Sequence, residues 1–190
     1  MKRLIEYTVT EEYDGCTVSD ILRSRLRMSG TLVKELKAHD DGITVNGCHA
    51  RTVDRVRSGD TVRAAIYDSA SDTVVPRSMT LDIVYEDEDI LVVNKPGGMP
   101  THPSAGHLDD TLANGIAAHY IANGEEHLFR AVNRLDKDTS GLMCVAKNSY
   151  AHTLLIDQLH GGGMERRYLA IVTGRLTGEG TVDAPIARES

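Results

Sequence analysis

Apolar positions along the chain follow two different spacings. Between Val18 and Leu36 they recur at helical intervals: Val18, Ile21, Leu22 and Leu26, then Leu32, Val33 and Leu36. This places one apolar stripe on each of two short helices. Thr17 with Asp20 makes a capping-box pattern for the first, and Ser29 stands where the second needs an N-cap. The second helix is expected to end before Asp41-Gly42. From there the pattern turns to alternation. Gly42–Gly47 (GITVNG) predicts a short strand closed by an Asn-Gly turn, and Val56–Asp68 a Ser-Gly-Asp turn with another strand. Ser69–Ser78 is polar with one proline and reads as a linker. Leu81–Ser104 predicts two strands around an acidic turn, then a Pro/Gly-rich loop. A helix over Thr111–Ala122 capped by Asp110 follows, then a strand around Phe129–Asn133 and a charged loop. A strand over Leu142–Ala146, a helix over Ser149–Leu159, a break at Gly161–Gly163 and a strand over Arg166–Gly174 complete the series.

Strands and helices mix without strict β-α-β alternation, which favours an α+β fold. The expected organisation is a small two-helix-plus-strands domain over 14–68, a linker over 69–78, and a mixed, mainly antiparallel sheet domain over 79–190.

The 190 residues include one Phe and no Trp, so Leu, Ile, Val and Ala must build the cores. Cys16, Cys48 and Cys144 form no C-x-x-C pair, which argues against a disulfide framework or structural zinc and fits a reducing compartment. No stretch reads as a signal peptide or a membrane span, so a cytoplasmic protein with no membrane partner is expected. The net charge of -7 argues against indiscriminate coating of nucleic acid. Its distribution is uneven: Asp14–Tyr67 carries nine Lys/Arg against seven Asp/Glu. Such a segment is either a solvated basic face or a docking surface for a polyanion. Arg23, Arg25, Arg27, Lys34 and Lys37 fall on or around the helix pair, where they could follow a phosphate backbone.

Several motifs lead nowhere. His102, His107, His119 and His127 lack metalloenzyme spacing, and no metal is expected. Gly161–Gly163 lacks the Lys-Ser/Thr of a phosphate loop, and Ser140 lies in Thr-Ser-Gly and not in G-x-S-x-G. Lys95-Pro96-Gly97-Gly98 reads as a turn. The loop within Ala131–Asn148 sets Arg134, Asp136, Lys137 and Asp138 side by side between apolar runs. It is either a solvated connection or a loop holding one carboxylate ready for chemistry.

Asn133–Leu142 (NRLDKDTSGL) resembles the H-R-L-D-x-x-T-S-G signature of the RluA-type pseudouridine synthases. Glu86–Ser104 (EDEDILVVNKPGGMPTHPS) resembles that family's upstream strand and Lys-Pro-x-Gly loop, and Arg166–Gly174 (RRYLAIVTG) its downstream tyrosine strand. The first region resembles the small RNA-binding domain first seen in a small-subunit ribosomal protein. Together these cover nearly the whole chain. The resemblance implies a catalytic domain of pseudouridine synthase type that isomerises specific uridines in structured RNA, ribosomal or transfer, with no cofactor and no metal. Breaking C1′–N1 and rejoining the uracil through C5 needs one ionised carboxylate near the ribose or base, as nucleophile or proton acceptor. Asp136 matches the catalytic aspartate. Arg134 matches the arginine that fills the space left by a flipped base. Tyr168 matches the tyrosine that stacks on the uracil. Thr139, Ser140 and Gly141 match the supporting turn, with Asn133 where the family usually has histidine and Arg166 where it usually has lysine. Arg23, Arg27, Lys34 and Lys37 are the implied RNA contacts, while Lys137 and Asp138 fall at variable positions and are expected to be solvated.

In the family a further basic residue pairs with the aspartate well beyond the position where this chain ends, so a C-terminally truncated form is expected, with doubtful activity by itself. A noncatalytic RNA-binding protein with a decayed synthase half is the alternative. A glycosidase-like hydrolase pairing Asp136 with Asp138 is a third reading.

Overall fold

The computed structural model describes residues 2–67, 74–175 and 177–185. Two four-stranded antiparallel sheets organise them, each with its own apolar cluster. The first has the order β1-β4-β2-β3, from β1 (Lys2–Thr8), β2 (Ile43–Val45), β3 (Cys48–His49) and β4 (Thr61–Tyr67). Asn46 and Gly47 both take positive φ, 50° and 82°, as a two-residue hairpin turn of this twist demands. The predicted Asn-Gly turn therefore joins β2 to β3. Strand β1 was not among the predicted elements. Its ladder with β4 runs from Lys2↔Tyr67 to Thr8↔Thr61.

Against this sheet pack α1 (Val18–Asp20), continued as a π-helical turn over Ile21–Arg25, and α2 (Gly30–Leu36). Both predicted caps form. The Thr17 amide donates to Asp20 Oδ2 at 2.8 Å, the Asp20 amide to Thr17 Oγ1 at 3.2 Å, and the Leu32 amide to Ser29 Oγ at 3.1 Å. Each cap satisfies helix-end donors that have no partner inside the helix. The seven apolar residues read from spacing are all buried, in one cluster with Val62, Ala64 and Ile66 of β4.

The second sheet has the order β5-β6-β8-β7, from β5 (Ile83–Glu86), β6 (Ile90–Lys95), β7 (Arg130–Ala131) and β8 (Gly141–Ala146). Helices α3 (Leu112–Ala122) and α4 (Ser149–His160) accompany it. Its core joins Leu91, Val93, Met143 and Val145 of the sheet to Leu112, Ile116 and Tyr120 of α3.

Three expectations need correction. Helix α3 is capped by Thr111 and not by Asp110: Thr111 is buried in a reciprocal box with Asn114, while the Asp110 carboxylate turns to His107. The strand around Phe129–Asn133 shrinks to two residues. Arg166–Gly174 forms no strand; Leu169 and Ile171 are fully exposed. A strand-like composition does not hold a strand without a neighbouring ladder. The expected linker lies partly outside the described residues. Among the described residues no helix is long and apolar enough to cross a membrane.

The two sheets meet at a charged junction. Arg3 grips Asp89 with two bonds of 2.9 Å, and Asn148 Nδ2 donates to the same carboxylate at 2.8 Å. Tyr150 of α4 reaches across to pack on the first cluster.

Candidate active site

The pairing of Lys95 with Gly141 puts the end of β6 beside the start of β8. The loops 96–111 and 132–140 therefore leave the same end of the sheet. Loop 132–140 keeps the sheet's hydrogen bonding for one more step through a side chain. The Val132 amide donates to the Cys144 carbonyl at 2.8 Å, and Asn133 then takes over: its Oδ1 accepts from the Cys144 amide at 2.9 Å and its Nδ2 donates to the Leu142 carbonyl at 3.3 Å. An amide side chain carries both a donor and an acceptor, so it can stand in for a peptide group. Leu135 then plunges into the core, and Arg134 and Asp136 on either side of it stay exposed. A turn follows, closed by the Thr139 amide on the Asp136 carbonyl at 3.1 Å.

Two buried groups from the other loop hold this backbone. Thr101 Oγ1 donates to the Leu135 carbonyl at 2.8 Å. Lys95 is fully buried, and its ammonium donates to three carbonyls: Met99 at 2.8 Å, Pro96 at 2.9 Å and Lys137 at 3.0 Å. An ammonium has three donors and no acceptor, so this cage saturates it. Gly98, in the left-handed region at φ 84°, adds its amide to the Lys137 carbonyl at 2.9 Å. Burial pushes the Lys95 pKa below its ordinary value, against the pull of the Asp138 and Asp136 carboxylates. The buried ammonium is thus close enough to both aspartates to be attracted by them.

Lys95 is a buried anchor of the loop that spacing alone does not reveal. Its Lys-Pro-Gly-Gly stretch reads as a turn, and only the fold shows that the turn wraps a lysine under the loop. Lys137 is exposed, and its Nζ lies 3.1 Å from His107 Nε2.

The structure brings Asn133, Arg134, Asp136, Thr139, Ser140 and Gly141 together in one loop. Among the described residues the Asp136 carboxylate and the Arg134 guanidinium have no hydrogen-bonded or ion-paired partner. Tyr168 is not brought to them; it stands exposed in the irregular segment after α4. Arg23, Lys34 and Lys37 are exposed on the helices of the first sheet, and the Arg23 guanidinium lies over Gly30 at the start of α2. Arg27 sits nearby at φ 54° and is ion-paired with Asp157 of α4 at 3.6 Å.

Comparison with known proteins gives a consistent picture. Residues 89–190 match the family model described as RNA pseudouridylate synthase. The uncharacterized RNA pseudouridine synthase YlyB of Bacillus subtilis is 40% identical over 190 residues, covering 97% of this chain and 62% of that protein. Ribosomal large subunit pseudouridine synthase D of Pseudomonas aeruginosa is 42% identical over 165 residues, covering 87% of this chain and 50% of that protein. The chain thus spans from about half to three-fifths of the length of these relatives.

Proposed function

The chain belongs to the RNA pseudouridylate synthase family, and from that membership we propose that it isomerises uridine in structured RNA to pseudouridine. The observation that carries this reading is the Asp136 carboxylate, exposed and, among the described residues, unpartnered, on a backbone hydrogen-bonded by the buried Lys95 and Thr101. A nucleophile or proton acceptor must be open to substrate yet fixed in place, and this arrangement meets both needs.

In this reading Asp136 acts at the ribose or base while C1′–N1 breaks, and the uracil turns and rejoins through C5. Arg134, exposed across Leu135 from Asp136, fills the gap left by the flipped base and meets a phosphate. Extruding a base costs a few kcal/mol, which such an insertion offsets. Tyr168 stacks on the uracil. The first module, with Arg23, Arg27, Lys34 and Lys37, grips the RNA backbone. The name of the Pseudomonas aeruginosa relative favours large-subunit ribosomal RNA over transfer RNA as the substrate. The chemistry calls for no redox cofactor or metal.

The test uses RNA carrying tritium at uridine C5, since forming the C5 glycosidic bond expels that hydrogen to water. In a form extended to the length of these relatives, Asp136→Asn should lower tritium release about a thousandfold or more with RNA affinity unchanged. Asp138→Asn should change little. Release retained in the first variant, or lost equally in the second, removes Asp136 from the role. The competing reading, a noncatalytic RNA-binding protein, predicts RNA binding and no release even from the extended form.

A further inference from the structure

Besides Lys95 and Thr101, a further set of side chains touches the Asp136 loop. Ser104 and His107 exchange backbone hydrogen bonds in both directions at 2.9 Å across Ala105-Gly106, with Gly106 at φ 85°. This tight turn gives His107 a fixed place. Asp110 precedes Thr111, the cap of α3, whose first turns are buried in the core. The imidazole lies between Asp110 Oδ2, 2.7 Å from Nδ1, and Lys137 Nζ, 3.1 Å from Nε2.

Only one protonation pattern makes both contacts hydrogen bonds. A carboxylate only accepts and an ammonium only donates. His107 must therefore carry its proton on Nδ1, donate to Asp110, and accept from Lys137 at Nε2. The bond from His107 holds the Asp110 carboxyl below the usual carboxylate range, so it is ionised at neutral pH. A continuous line of contacts thus runs from the core through α3, Asp110 and His107 to Lys137, the residue next to Asp136.

We propose that His107, oriented by Asp110, is a positioning residue that clasps the Lys137 side chain and so fixes the Asp136 carboxylate for reaction. The proposal rests on the reading of Asp136 as the reacting group. Lys137 is then held at both ends: its carbonyl is drawn inward by Lys95 and Gly98, and its ammonium is drawn sideways by His107. Both His107 and Asp110 are partly exposed, so the clasp adds little to global stability. Its effect is on geometry, where a displacement of about 1 Å costs about a hundredfold in rate. The rival role for Lys137 is a phosphate contact, which needs no histidine.

The experiment compares His107→Ala, Lys137→Met, Lys137→Arg and the His107→Ala/Lys137→Met double variant. Tritium release from a large-subunit ribosomal RNA transcript gives kcat and KM, and hydrogen exchange reads the Gly98 and Thr139 amides. His107→Ala and Lys137→Met should each lower kcat about 10- to 100-fold with KM within about twofold. The double variant should be no worse than either single one, as for residues acting as a unit. Lys137→Arg keeps the donor and should restore most of kcat. Unchanged kcat in His107→Ala overturns the proposal. So does a raised KM with a flattened salt dependence confined to Lys137→Met, which marks a phosphate contact. If the unaltered protein releases no tritium, exchange alone decides the clasp. Faster exchange at Thr139 and Gly98 in His107→Ala then supports the clasp, and unchanged exchange overturns it.

Discussion

Replacing Lys95 by methionine keeps the apolar stem and deletes the charge that underpins the loop. In the native protein its ammonium satisfies the carbonyls of Pro96, Met99 and Lys137. After substitution the Lys137 carbonyl keeps the Gly98 amide at 2.9 Å, whereas the Pro96 and Met99 carbonyls lose this donor. A hydrogen bond to a charged group contributes about 1.5–3 kcal/mol, and an orphaned buried acceptor costs about 1–3 kcal/mol. Two opposing effects reduce the total. Burying the ammonium is itself unfavourable, as its lowered pKa shows, and Pro96 is exposed enough for water to reach its carbonyl. The net loss should be about 2–4 kcal/mol. A domain of this size is stable by about 5–15 kcal/mol, so the loss is a large fraction of the whole. Urea unfolding followed by circular dichroism should show a lower midpoint with an unchanged slope. Tritium release should fall about a hundredfold even well below the midpoint, because the loop carrying Asp136 is released. A midpoint within error of the unaltered protein would refute the claim that the cage holds the loop.

A second buried lysine sets a pH window. Lys147 is ion-paired with Glu125 at 2.8 Å and Glu86 at 2.9 Å. Burial opposes its charge, yet the Glu125 and Glu86 carboxylates hold its pKa above the ordinary 10.5; burial pushes Glu86 up, but its bonds from Lys147 and His119 hold it below 4.5. The Glu86 contribution is present above 4.5 and lost as pH falls through its lower folded value, and the Lys147 contribution is present below 10.5 and lost as pH rises through its higher one. Thermal melts should therefore show a plateau between those limits, and Lys147→Met should cost about 3–5 kcal/mol at neutral pH, an effect that shrinks on acidification as Glu86 protonates. For the first module, removing Arg23, Lys34 and Lys37 together should weaken binding to RNA of any sequence and lower the salt slope by about one per lost contact. Unaltered salt dependence would assign those cations to a solvated face.

Local signals carried much of this molecule in its sequence. The Thr17–Asp20 box, the Ser29 cap and the Asn46-Gly47 turn were legible because each is closed by groups within a few residues of one another. The same holds for the apolar stripes of α1 and α2, whose period fixes the face before any partner is known. The Asn133–Gly141 motif named the loop and Asp136 within it. Other features depended on distant residues. Strand β1 exists because β4, far along the chain, offers it a ladder, while Arg166–Gly174 has a strand's composition but no ladder. Asp110 looked like a cap, but Thr111 and Asn114 close the helix between them and free Asp110 for His107. Lys95 read as part of a turn because nothing local distinguishes a lysine in solvent from one enclosed by three carbonyls. Its cage joins two loops 42 residues apart, and only their meeting at one end of the sheet creates it. Short-range hydrogen bonds and apolar period are written in sequence; a partner supplied by another element appears only when the sheet brings the two together.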